Sequence, residues 1–312
     1  MSEVRSYYGR PVLKEPVWTW EIPAYFFTGG VSGGSSVLSL AAKLFGNERL
    51  SRRALYVGAA ADIASPLLLI SDLGRPERFH HMLRVFKVTS PMNVGAWVLL
   101  VNGGASTTAA VLELLGIWKP LKLLGELVAA LFGPPLATYT GVLVADTAVP
   151  VWHEARQELP WLFGASAAAS AGAAACVLCA PDAARPARRL AVGGVVAEGL
   201  VMHAMERRLG EVGEVYHRGP AGAFSWAARG LAGGGALLLA TRGRRSRGAS
   251  VLGGAMVCAG ELCLRFAVFH AGKQSARDPK YTVRPQRERA DRNGGKATTK
   301  PGEAAAPAAR GT

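Results

Sequence analysis

Apolar residues in this chain gather in blocks of about 18 to 24, with charged residues between the blocks. A surface helix of a soluble protein shows one apolar stripe, whereas these blocks are apolar on every face. They lack the period-2 alternation of barrel strands. In hydrocarbon each backbone polar group needs a partner within the chain, so blocks of this kind predict helices. The pattern places spans at about 21–45, 54–70, 94–115, 123–145, 161–180, 190–205, 223–240 and 249–269. Trp18 and Trp20 open the first span as an interfacial aromatic belt. Gly29, Gly30, Gly33 and Gly34 within it form a doubled G-x-x-x-G, a face on which helix backbones approach closely. Pro66 is expected to kink the second span, and Gly133-Pro134-Pro135 to break the fourth. The expected fold is an all-α integral membrane protein of about eight transmembrane helices in two four-helix bundles. Residues 1–20 read as a polar segment, 21–145 as a first half, 146–272 as a second half, and 273–312 as a polar, largely disordered tail.

Composition refines this picture. The chain has 312 residues, 50% of them hydrophobic and 19% charged, and a net charge of +14. Lys and Arg cluster at block ends, where they anchor helices, and no nucleic-acid motif accompanies the charge. The start of the chain lacks the cleavage pattern of a signal peptide, so the first block is expected to remain in the mature protein. Inter-span loops opposite the termini carry thirteen Lys and Arg, and those on the terminal side carry eight. This bias predicts a cell-membrane protein with external termini, although the basic C-terminal tail weighs the other way. The four cysteines are too few for a disulfide framework, and they form no four-cysteine set that could hold an iron–sulfur cluster. Cys176 and Cys179 form a C-x-x-C within an Ala-rich block and read as small buried residues.

Charges within a bilayer are costly and therefore draw attention. Asp62, Glu126, Asp146, Glu198, Glu261 and Arg265 are the candidates. Glu261 and Arg265 stand i, i+4 with the acid first, the spacing of a helical ion pair that either neutralises itself or moves protons. Glu126 and Asp146 lie near span ends, within reach of the interface. The six histidines fall in loops or near span ends, which disfavours the facing pairs that haem requires.

The most specific stretch follows the second span. Asp72-Leu73-Gly74-Arg75-Pro76-Glu77-Arg78-Phe79, then His81-Met82-Leu83 and Ser90-Pro91-Met92, resembles the NrfD family, which includes the polysulfide reductase membrane subunit. Trp18-Thr19-Trp20-Glu21 before a Gly-rich helix, Tyr139-Thr140-Gly141-Val142-Leu143, and Leu264-Arg265-Phe266-Ala267-Val268-Phe269 with Asp278-Pro279-Lys280-Tyr281-Thr282-Val283 are similar to further family segments. The resemblance spans roughly residues 7 to 285.

The resemblance implies a haem-free membrane-anchor subunit that binds a quinone, menaquinone or ubiquinone, in its N-terminal half. It implies an iron–sulfur partner subunit that passes electrons to or from a molybdopterin or multihaem cytochrome catalytic subunit. The chain itself would then hold neither haem nor an iron–sulfur cluster. The family's quinone-facing positions early in span one are often Asn and His; Ile22 and Tyr25 stand there in this chain. The expected quinone contacts are Glu21, Tyr25, Tyr139 and Asp146, with Asp62 and His80 as proton carriers. Asp72, Arg75, Arg78 and His81 are the expected docking residues, and Glu261 with Arg265 the intramembrane ion pair. Competing readings are a b-type cytochrome subunit, a transporter and a non-catalytic membrane anchor.

Overall fold

A computed structural model of the protein describes residues 13–282. The tail expected to be disordered from about residue 286 lies outside the described residues. The elements are α1 (Glu21–Leu44), α2 (Glu48–Ser71), a 3-10 segment (Pro76–Leu83), α3 (Pro91–Leu115), α4 (Lys119–Ala145), a short α5 (Pro150–Glu154), α6 (Leu159–Leu178), α7 (Arg185–Leu209), a second 3-10 segment (Gly210–His217), α8 (Gly219–Thr241) and α9 (Arg247–Arg277).

The ends of these helices follow from local chemistry. The Asn47 side chain accepts from Leu50 N (3.2 Å) and starts α2, six residues before the apolar block itself begins. Its amide also donates to Ala183 O (2.9 Å), tying the α1–α2 turn to the α6–α7 turn. Ser90 and Pro91 start α3 as N-cap and first-turn proline. Ser246 caps α9, which continues past the apolar block to Arg277.

Helix α1 packs against α2 and α4, and α3 packs against the same two. Helix α6 packs against α7 and α9, and α8 against those two. The sets meet where α6 lies on α1 and α4. The doubled G-x-x-x-G makes this possible. A Cβ on Gly33 would overlap the Gly133 carbonyl oxygen of α4, and one on Gly34 would stand 2.6 Å from Ala167 O of α6.

The break expected at Gly133-Pro134-Pro135 does not occur, and α4 runs unbroken from Lys119 to Ala145. Gly133 lies flush against Gly33 of α1, beside the point where Pro134 and Pro135 remove two N–H donors. Thr138 Oγ1 donates to Pro134 O (2.8 Å) one turn later.

Eight of these helices have 20 or more residues. Five of them, α2, α3, α4, α6 and α9, are long and apolar enough to cross a membrane. Gly and Ser in α1, Gly in α8 and the Arg-rich ends of α7 lower the apolar character of the other three. Large apolar side chains face outward around the helices, among them Leu67, Leu114, Leu131, Leu200, Leu237 and Leu252. Outward tryptophans mark helix ends at Trp20, Trp118 and Trp161.

Candidate functional site

Helices α1, α2, α3 and α4 enclose a cavity of about 80 Å³ at the end that carries both described termini. Tyr25 and Tyr139 face into it, with Trp18, Phe26, Asp72, Met82 and Met92 completing the wall. Tyr25 is buried, and its hydroxyl has no hydrogen-bond partner among the described residues. A buried phenol left unpaired costs about 1–3 kcal/mol, and this one borders a cavity. Tyr139 holds its place because residue 95 is glycine: a Cβ there would fall within its ring.

Asp72 closes the rim. Thr19 donates to Asp72 Oδ1 from its backbone N–H (3.1 Å) and its hydroxyl (2.7 Å). The same hydroxyl reaches the Glu21 carboxylate, so the N-terminal approach is stitched to the end of α2. Glu21 therefore sits at the rim, on the first turn of α1, rather than in the cavity.

A second, apolar groove of about 500 Å³ runs between α2 and α3. Phe79, Met82 and Leu83 of the first 3-10 segment lie over one end, and Asp62, Gly103 and Gly104 line the other. Leu69, Met82 and Ala96 line both spaces and form the wall between them. Met82 is the flexible member of that wall.

Asp62 is 3% exposed and well supplied with donors. Asn102 Nδ2 lies 3.0 and 3.2 Å from its two oxygens, and Ser106 Oγ donates to Oδ2. Asn102 also donates to Ser32 Oγ (3.0 Å). Asn102 and Ser106 escaped the sequence reading, which weighed charges inside spans and passed over neutral polar side chains.

The structure does not bring every expected residue together. His80 is exposed on the 3-10 segment, edge-on to His81 with centroids 4.5 Å apart, and lines neither space. Asp146 caps the end of α4 and is exposed, outside the cavity that Tyr139 enters. Arg75, Arg78 and His81 are exposed around the same 3-10 segment, beside outward-facing Phe79 and Phe86. Among the described residues neither arginine pairs with Asp72 or Glu77. Asn93 braces this loop, donating to Met82 O (2.7 Å) and accepting from Lys87 N (2.7 Å).

The expected Glu261–Arg265 pair is corrected in its geometry. Both side chains are fully buried, but no direct ion pair joins them among the described residues. Glu261 instead accepts from Ser166 Oγ (2.6 Å), and the Glu198 carboxyl of α7 faces it. Arg265 turns toward α6 and α1. It donates to Phe163 O (3.0 Å), lies 3.8 Å from the Phe163 ring centroid, and places Nη2 where a Cβ on Gly30 would meet it at 3.2 Å.

Among the described residues no three His, Cys, Asp or Glu side chains gather as a metal site requires. Cys176 and Cys179 are buried free thiols at the end of α6. Arg247 donates to the carbonyls of Cys176 (2.9 Å), Val177 and Cys179, satisfying that helix end.

A chain of long helices with outward leucines and tryptophan-marked ends is a multi-pass, all-α integral membrane protein. It belongs to the polysulphide reductase, NrfD family, whose profile matches residues 11–207. Members of that family are membrane subunits of respiratory oxidoreductase complexes. An 85-residue segment is 33% identical to Protein NrfD of Escherichia coli (strain K12). That segment covers 25% of this chain and 27% of the relative, so the chain matches about a quarter of the relative's length. The cavity residues fall inside the matched region. The C-terminal segment around Arg265 falls outside it.

Proposed function

We propose that this protein is the quinone-interacting membrane subunit of an oxidoreductase complex, exchanging electrons between the quinone pool and an iron–sulfur partner subunit. The observation that carries this reading is the buried, unpartnered Tyr25 hydroxyl in a cavity it shares with Tyr139, next to an apolar groove. A quinone offers two carbonyl acceptors on an apolar body, and it supplies a two-electron, two-proton couple. Neutral phenols are inexpensive donors to bury in lipid, so Tyr25 and Tyr139 suit those carbonyls. The cavity alone is smaller than a ligand pocket of ordinary size, whereas the adjoining groove has the size of one. The groove would take the apolar body, and movement of Met82 would join the two spaces. Asp62, at the groove's inner end, would hold or pass a proton within reach of Asn102 and Ser106.

Arg75, Arg78 and His81 present a basic, aromatic-edged surface at the same end, suited to an acidic partner rim. The iron–sulfur subunit would dock there and relay electrons to or from a molybdopterin or multihaem catalytic subunit. Electrons would then cross only the short gap between this surface and the cavity. In this reading the protein lies in the cell membrane with its termini outside. Quinone titration of the assembled complex tests the proposal. Tyr25→Phe and Tyr139→Phe are each expected to weaken binding by about three- to tenfold, the worth of one hydrogen bond. Asp62→Asn is expected to slow turnover and leave binding nearly unchanged. Wild-type protein that binds no quinone would make this chain an anchor without quinone chemistry.

A further inference from the structure

Between the two sets of helices lies a further groove, of about 600 Å³. Its floor follows α1 from Gly33 to Phe45, with α4 at Pro134 on one side and α6 at Ala168 on the other. Asn47 and the first turns of α7, at Pro186 and Leu190, form its mouth at the end opposite the tyrosine cavity. Val37, Phe45, Pro134 and Pro186 are exposed, so the groove opens toward surrounding lipid. Both polar side chains that line it are already satisfied. Thr138 Oγ1 donates to Pro134 O (2.8 Å), and the Asn47 amide is taken by Leu50 N and Ala183 O. The interior therefore suits hydrocarbon rather than water or a polar ligand.

Length and charge narrow the occupant. At about 1.5 Å per residue, Gly33 to Phe45 spans roughly 18 Å, close to the ~15 Å depth of one hydrocarbon leaflet. A transmembrane helix would need a track of about 30 Å. The mouth is cationic. Arg185 precedes Pro186, Arg189 precedes Leu190, and both arginines are exposed at i, i+4 on α7. Neither meets a carboxylate among the described residues. Asp182 lies 3.7 Å from Arg49 of α2, and Glu48 is directed to Lys122. Arg188 turns inward to Pro181 O (3.2 Å). Two like charges one turn apart repel each other, and at the start of a helix they also oppose its dipole. An anion between them relieves both effects.

We infer that this groove binds one anionic glycerophospholipid of the leaflet opposite the tyrosine cavity, with an acyl chain along α1 and its phosphate between Arg185 and Arg189. The second acyl chain stays in the surrounding bilayer. The bound chain touches α1, α4, α6 and α7, so it fills the seam between the two sets of helices. A ligand that binds only the assembled fold stabilises it by mass action. The lipid is thus a structural partner of the seam, and its binding is independent of quinone chemistry at the other face.

The test uses the full-length chain, stripped of lipid in a neutral maltoside detergent. It is titrated with dioleoyl phosphatidylglycerol or dioleoyl phosphatidylcholine, and bound lipid is counted by native mass spectrometry. One phosphatidylglycerol should be retained per chain, about tenfold more tightly than phosphatidylcholine, and it should raise Tm. Equal retention of the two lipids, or of neither, overturns the inference. Arg185→Gln combined with Arg189→Gln should abolish the preference and leave phosphatidylcholine retention unchanged. Ala41→Phe puts a ring into the groove and should abolish retention of both lipids. Val37→Phe, at a more exposed position of the same floor, should do the same if Ala41→Phe does not fold. An undiminished preference without the arginines, or full retention in the filled groove, overturns the proposal. A phosphatidylglycerol with a diazirine at the end of its acyl chain should label α1 or α6 near Gly34 and Ala168. Labelling confined to other helices counts against it, as does a structure of the complex with a quinone tail or a partner helix in the groove.

Discussion

Asp62 in the first four helices and Glu261 in α9 are both buried carboxyls, yet they are treated differently. Asp62 receives hydrogen bonds from Asn102 and Ser106 and borders a groove of about 500 Å³. The Glu261 and Glu198 carboxyls face each other, and Arg265 Nε and Nη1 have no hydrogen-bond partner among the described residues. Ala169 of α6 is fully buried beside α7, where a Cβ on Gly194 would stand 2.5 Å from Ala169 N. A charge beside open space and neutral donors can change its protonation as a ligand comes and goes. Charges locked among backbones hold one another in place, and losing one leaves the rest uncompensated. On the quinone reading, the first region has space and donors for a ligand, whereas the second is closely packed.

The largest expected effect tests that division. Arg265→Gln removes the cation facing Glu261 and Glu198 and should destabilise the folded protein by about 3–5 kcal/mol. Much less folded protein should survive extraction into detergent. Glu261→Gln should cost less, because the amide still accepts from Ser166. The double variant should recover part of the loss. If Arg265→Gln assembles at wild-type levels but slows quinone turnover, the second region carries chemistry as well.

A matched pair of glycine substitutions sharpens the comparison at smaller cost. Gly95→Ala drives a methyl into the Tyr139 ring, and Gly194→Ala drives one into the α6 backbone. Each should cost about 1–3 kcal/mol of stability, the usual cost of overpacking. Only Gly95→Ala should also weaken quinone binding, because only that methyl displaces a cavity donor. Equal quinone affinity in the two variants would place Tyr139 outside the binding site.

Long apolar blocks made the helices legible, since burial in hydrocarbon leaves few alternatives to a helix. Tyr25, Tyr139 and Asp72 line one cavity because α1, α2 and α4 all meet the terminal face. Neutral polar residues carried no comparable signal. Asn102 and Ser106 act on Asp62 from another helix, and their spacing in sequence does not reveal that neighbour. His80 and Asp146 lie close in sequence to cavity residues but face outward, because a 3-10 segment and a helix end set their directions. The partners of Arg265 were illegible for a related reason: an i, i+4 spacing shows what a side chain can reach on its own helix, not a nearer carbonyl on the next.

The smallest effect concerns the tie between the two regions. Glu15, ahead of α1, accepts from Arg277 Nε (2.8 Å) and Nη2 (2.9 Å) at the end of α9, and Lys273 Nζ lies 3.3 Å away. Lys273 also donates to Trp18 O (3.3 Å), and the Trp18 ring lines the tyrosine cavity. The Arg277 hydrogen bonds, joined by Lys273, hold the Glu15 carboxyl below its ordinary range in spite of partial burial. A lowered carboxyl pKa contributes stability that is present above the unfolded-state value and is lost as pH falls through the folded-state value. The latch should therefore hold at neutral pH and loosen on acidification through and below the ordinary carboxylate range. Its worth is under about 1 kcal/mol, because the pair is largely exposed and salt screens it. Trp18 stacks on Trp152 with centroids 6.0 Å apart, so a fluorophore replacing Trp18 would report the loosening. Glu15→Gln should abolish that acid-dependent change and leave the Arg265 and Gly95 effects untouched. An identical acid transition in Glu15→Gln would show that a different carboxyl drives it.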